Sequence, residues 1–135
     1  MDAMKSIFLA FIMLIVTPYY AVSASFEDIK GYWLSEDDWP VIGHKVTLII
    51  TDDTLRHRKM KPKKFSVINS DNVFIIKFDS YKKLGKKTYN DMHEKIVIIN
   101  ENKIIRETPA SSGSGSRKQW IYNRITEEEA QKYLR

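Results

Sequence analysis

Few side chains in this chain can do chemistry, and their spacing does not assemble them into a catalytic set. The three histidines, His44, His57 and His93, show neither a His-x-His nor a His-x-x-x-His spacing, so a structural or surface role is expected for each and no metal. The absence of cysteine excludes thiol catalysis, cysteine-ligated metals and a lipid-anchored cysteine. There is no Gly-x-Ser-x-Gly elbow, phosphate-binding glycine loop or zinc helix, so no catalytic residue and no cofactor is expected. One cluster leaves an enzymatic alternative open. Glu36-Asp37-Asp38 precedes Trp39-Pro40, and a carboxylate pair beside an aromatic platform is what glycan-processing sites require. Adjacent carboxylates in a loop usually serve as solvated charge, and the loop after a first strand is where these fall.

The strongest charge feature is the run Arg56-His57-Arg58-Lys59-Met60-Lys61-Pro62-Lys63-Lys64, reinforced by Lys82, Lys83, Lys86 and Lys87. On a strand, Arg56 and Arg58 project to one side and His57 and Lys59 to the other, so the run cannot bury a full face and belongs on an edge or exposed hairpin. Arg56, Arg58, Lys59, Lys63 and Lys64 then form a patch that attracts an anionic surface through its long-range potential. The same charges also keep an exposed strand edge soluble, which is the simpler role for them.

Export narrows the partners of such a patch. Met4 and Lys5 open the chain, an apolar stretch runs from Ile7 to Val16, and Val22-Ser23-Ala24 supplies small residues, the three parts of a cleavable secretory signal. Residues 1–24 are therefore expected to be the signal, with cleavage before Ser25. The apolar stretch is well short of the ~20 residues that span a bilayer, so no stable membrane anchor is expected. A secreted or periplasmic product has little access to intracellular nucleic acid, and none is expected as a partner. The remaining 111 of the 135 residues suffice for one domain, 25–135, carrying the whole net charge of +5 because Asp2 and Lys5 cancel. Without disulfides, its core must be held by burial and backbone pairing alone.

The elements that position these residues are short β-type runs separated by turn residues. Strands are expected over Lys30–Ser35, Lys45–Thr51, Leu55–Met60, Lys64–Asn69, Val73–Asp79, Glu94–Ile99, Lys103–Thr108 and Lys118–Ile125. Asp52-Asp53, Ser70-Asp71-Asn72 and Asn100-Glu101-Asn102 are turn signals, and Ala110–Ser116 reads as a flexible surface loop. Thr126 followed by Glu129 has capping-box spacing, and Glu127 to Glu129 suit a helix N-terminus, so a short helix is expected over Glu127–Leu134. The class is all-β: about eight antiparallel strands in a meander that avoids exposed edges by closing into a small barrel, with one short C-terminal helix.

Two features at opposite ends of this meander resemble the lipocalins. Gly31-Tyr32-Trp33 at the start of the first strand is similar to their Gly-x-Trp signature, and Arg124 in the last strand is similar to the C-terminal arginine that packs on that tryptophan. The resemblance is to short bacterial lipocalin-like exported proteins, and it implies an up-and-down barrel whose interior or mouth binds an apolar ligand or a partner protein. Trp39, in a loop beside the first strand, is the candidate at such a mouth. Two functions of different class follow as expectations. One is a non-catalytic exported binding protein that docks an acidic exported partner in an inhibitor or immunity-type role, or holds a small apolar ligand. The alternative is an envelope glycan-directed enzyme using Glu36, Asp37 or Asp38.

Overall fold

In the computed structural model of the chain, the structure describes residues 24–80, 93–109 and 117–134. The expected signal apart from Ala24, the basic loop holding Lys82 to Lys87, and the Ser/Gly loop 110–116 lie outside the described residues. Eight antiparallel strands form a closed barrel in sequence order: β1 (Gly31–Ser35), β2 (Thr47–Ile50), β3 (Thr54–His57), β4 (Lys63–Ser70), β5 (Val73–Phe78), β6 (Glu94–Asn100), β7 (Lys103–Thr108) and β8 (Lys118–Ile125). β1 closes on β8, Trp33 standing opposite Arg124 and Ser35 opposite Tyr122. The all-β class, the meander and the terminal helix are as the sequence led us to expect, and the architecture is lipocalin-like.

Alternation along each strand decides what goes inside. Phe74, Ile76 and Phe78 of β5 are buried while Val73, Ile75 and Lys77 are less so, and β7 alternates the same way through Ile104 and Arg106. Inward residues of neighbouring strands meet in register, as Trp33 with Leu48, Phe65 with Phe78, Val67 with Ile76 and Ile104 with Tyr122. The interior is therefore packed by side chains, with Trp33, Leu48, Phe74, Ile76, Ile96, Ile104 and Tyr122 all fully buried.

One end of the barrel is sealed by a short 3-10 turn, Phe26–Ile29, which the sequence did not signal. Phe26 packs edge-on against Phe65 and Phe74, with ring centroids 5.7 and 6.1 Å away, and Ala24 N–H donates to Asn72 Oδ1 in the β4–β5 turn. Trp33 Nε1–H donates to the Ile29 carbonyl at 2.9 Å, and the Arg124 guanidinium lies 4.2 Å over the Trp33 ring. Arg124 also donates to the carbonyls of Asp28, Lys30 and Glu101, tying the 3-10 turn to the β6–β7 turn. Burial lowers the pKa of its guanidinium from the ordinary arginine value.

Gly31 is required here on two counts. Its φ of +127° lies where side chains are rarely accommodated, and a Cβ would stand 2.9 Å from Arg124 Nη1.

Helix α1 (Glu127–Tyr133) follows β8 and packs against β1, with Ala130 fully buried. Thr126 caps it, accepting the Glu129 N–H at 3.1 Å. Lys45 and Val46 pass before β2 begins, and β3 ends at His57 instead of Met60. Arg58 takes a φ of +59° and Met60 N–H bonds back to the His57 carbonyl, so the chain turns where simple alternation would have extended it. No helix among the described residues is long and apolar enough to cross a membrane.

Candidate binding site at the open end

The strand order puts the turns around residues 52, 71 and 101 at the sealed end, so the β1–β2 and β3–β4 connections stand at the other. At this end, called open because among the described residues no counterpart of the 3-10 turn seals it, the inward positions change character. β6 and β7, otherwise rich in Ile and Val, present Glu94 and Arg106 to the interior. Arg106 Nε donates to Glu94 Oε1 at 2.5 Å and Nη2 to Oε2 at 2.9 Å, a bidentate pair, while Nη1 donates to Tyr122 Oη at 3.3 Å. Both charged residues are more than nine-tenths buried. Burial works against the Arg106 charge, but Glu94 and Tyr122 outweigh it and raise the pKa above the ordinary arginine value. The Tyr122 hydroxyl is raised by burial, with Arg106 opposing.

His57, the last residue of β3, stands beside this network. Burial first, then the charges of Arg106, Arg58 and Lys63, push its pKa down from 6.5 to about 3, so the imidazole is neutral at physiological pH. Its Nε2 is buried and meets no hydrogen-bonding partner among the described residues. The Trp39 ring lies 4.5 Å from His57 and stacks on Trp120 at 4.2 Å and 18°. Trp39 is held there by its loop: its N–H donates to the His44 carbonyl, and Gly43, at φ +76°, returns an N–H to the Trp39 carbonyl. Trp120 is anchored by a 3.3 Å hydrogen bond to Thr108 Oγ1.

A pocket of about 160 Å³ opens beside this group, lined by Leu55, His57, Met60, Lys61, Lys63, Phe78, Glu94 and Arg106. An engineered cavity of ~150 Å³ takes one benzene ring. The space therefore suits a single ring or side chain, and below it the barrel is filled.

The residues singled out from sequence are distributed unevenly about this pocket. Gly31, Trp33 and Arg124 come together at the sealed end, remote from it. Of the basic set, Lys63 lines the pocket and sits 5.9 Å from the Phe78 ring centroid. Arg58 and Lys59 occupy the turn at the hairpin tip, whereas Arg56, opposite Ile49, and Lys64, opposite Thr54, have outward register. The basic run therefore forms a rim and an outer flank in place of one flat face. Trp39 contacts His57 and Trp120 beside the pocket but is not among the residues that line it. Glu36 is bound by Lys103 at 3.1 Å, which lowers its pKa, and Asp37 and Asp38 are exposed; none of the three lines the pocket. His44 engages the Lys45 carbonyl, and among the described residues no three metal-ligating side chains converge.

Sequence reasoning missed Glu94, Arg106, Tyr122 and the role of His57. A signal for two of them was present. Glu94 shares parity with Ile96 and Ile98, and Arg106 with Ile104, so charges of opposite sign occupy inward positions on adjacent strands. Compared with protein-family models, curated proteins and solved structures, the chain finds no match in any of the three.

Proposed function

We propose that this protein is an exported, non-catalytic binding protein that docks an acidic partner through the open end of its barrel, in an inhibitor or immunity-type role. One observation carries it: the open end combines a filled interior and a side-chain-sized pocket with lysines on its lining, Lys61 and Lys63, while the Arg106 and Glu94 charges of that lining neutralise each other. A filled barrel gives an extended apolar ligand little room, while a cationic rim favours encounter with an acidic surface. The basic hairpin tip, with Arg58, Lys59 and Lys61 at the rim, adds to that field. The glycan-enzyme alternative draws no support from Glu36, whose carboxylate is engaged by Lys103.

The test begins with the secreted product of the native host, which should start at Ser25 within a residue or two by N-terminal mass analysis. A pull-down from the same compartment should recover a partner with an acidic binding surface. Reversing Arg58 and Lys59 to glutamate should then slow association steeply at low salt while leaving the melting temperature nearly unchanged. An association rate that ignores both the reversal and the salt concentration refutes the proposal.

A further inference from the structure

We infer that the open end of the barrel seats reversibly on an anionic lipid surface, with Val41 and Met60 as the apolar tips that enter it. The inference goes beyond the docking proposal and does not depend on it.

Two loops present these tips. In the β1–β2 connection the Trp39 N–H donates to the His44 carbonyl and the Gly43 N–H to the Trp39 carbonyl, closing the neck of a loop whose Trp39 and Ile42 pack onto the core. Val41, between them, is 100% exposed. In the β3–β4 connection the turn through Arg58 returns the Met60 N–H to the His57 carbonyl and leaves Met60 51% exposed. The two loops are joined at their bases, because the Trp39 ring lies 4.5 Å from His57. A valine wholly in water on a loop pinned by hydrogen bonds and a packed tryptophan adds nothing to the burial that holds the fold. Its apolar surface gains only when something outside the chain removes it from water.

Cations frame the second tip. Lys59 and Lys61 flank Met60, both are exposed, and no ion pair engages either among the described residues. Lysine stems lie along apolar surface while their ammonium groups reach outward, the arrangement that suits acyl chains below and phosphate headgroups above. Asp37 and Asp38, exposed at the foot of the β1–β2 loop, oppose part of that attraction. Insertion and charge are therefore both needed, and binding is weak and salt-sensitive. The shape favours lipid over a folded protein. A stable protein interface of about 800 Å² a side centres on a continuous, well-packed apolar cluster, whereas these tips stand on separate loops with charge beside them. A lipid surface yields around each tip singly.

The experiment expresses the full-length chain and mixes its exported product with vesicles of phosphatidylcholine, alone or with phosphatidylglycerol. The chain has no cysteine, so Val41→Cys, Met60→Cys and, at the sealed end, Asp53→Cys each create one site for an environment-sensitive fluorophore. On the anionic vesicles at low salt the probes at 41 and 60 should brighten and shift to the blue, and the probe at 53 should not. Each lysine near an anionic surface contributes roughly fivefold, so unlabelled protein should float with neutral vesicles at least about tenfold more weakly, and Lys59→Glu with Lys61→Glu should lose about as much. Val41→Asp, whose side chain stands clear of the fold, should weaken flotation on the order of tenfold with the melting temperature unchanged.

No saturable binding to the anionic vesicles, equal binding to the neutral ones, a response at 53 as strong as at 41, or full binding by Val41→Asp overturns the inference. A captured protein partner that Val41→Asp weakens, in a product that ignores the anionic vesicles, overturns it too and assigns the tips to a protein contact. Failure of the docking proposal is separately visible: a product that binds the anionic vesicles, and whose partner ignores charge reversal at Arg58 and Lys59, keeps the lipid seat and loses the docking site.

Discussion

Acid should destabilise this protein through His57 before it touches the carboxylates. The folded imidazole resists protonation until about pH 3, whereas in the unfolded chain it takes up a proton near 6.5. Between those values the unfolded state binds a proton that the folded state does not, so stability is complete above 6.5 and falls as pH drops toward 3. Each unit of that interval is worth ~1.4 kcal/mol, so going from about pH 8 to about pH 5 should cost roughly 2 kcal/mol from this one group. That is a large fraction of the total for a small domain, for which ~5–15 kcal/mol is usual. Urea unfolding followed by tryptophan fluorescence at several pH values measures it directly. His57→Phe keeps a ring against Trp39 and removes the titration, so its pH dependence over this window should be nearly flat. The larger ring can overpack the site and cost ~1–3 kcal/mol at every pH, and the slope, not the absolute stability, is therefore the informative quantity. His57→Leu provides the same slope with less bulk. Parallel stability curves for wild type and both variants would refute the reasoning, and with it the burial and charge environment ascribed to His57.

Three further outcomes follow from the packing. Trp33→Ala should lose ~3–5 kcal/mol in chemical denaturation, because it empties a fully buried site and removes the platform for Arg124. Gly31→Ala should cost ~1–3 kcal/mol, since it forces a Cβ into an unfavourable φ and against Arg124 Nη1; an unchanged denaturation midpoint would contradict the geometry. Arg106→Leu should destabilise by ~3–5 kcal/mol by stranding Glu94 in the interior, and adding Glu94→Leu should restore most of that loss. A double variant no more stable than the single would mean that the ion pair, and not the stranded charge, carries the stability.

The strand inventory was legible because its signal is local. Alternation over β5, β7 and β8, turn residues at Asp71-Asn72 and Glu101-Asn102, and the Thr126 cap depend on neighbours a few residues away, and each appears where chain periodicity puts it. The end of β3 was not legible, because the positive φ of Arg58 is selected by the loop that it enters and leaves no mark in the apolar pattern. The 3-10 turn at Phe26–Ile29 is likewise set by what it caps: its phenylalanine is useful only against Phe65 and Phe74, some forty residues or more along the chain.

For the candidate site the division falls between composition and placement. The sequence by itself determined that the protein carries an excess of positive charge concentrated between Arg56 and Lys64, that it has no cysteine chemistry, and that its strands pair as a meander. Only closure of the barrel decided that β3, β5, β6 and β7 would bring His57, Phe78, Glu94 and Arg106 to one end, and that Lys63 would turn inward while Lys64 turned out. The physical reason is register. A strand fixes which residues share a face, but hydrogen bonding between strands fixes which faces meet, and the buried Arg106–Glu94 pair exists only once both strands have been drawn out of water together.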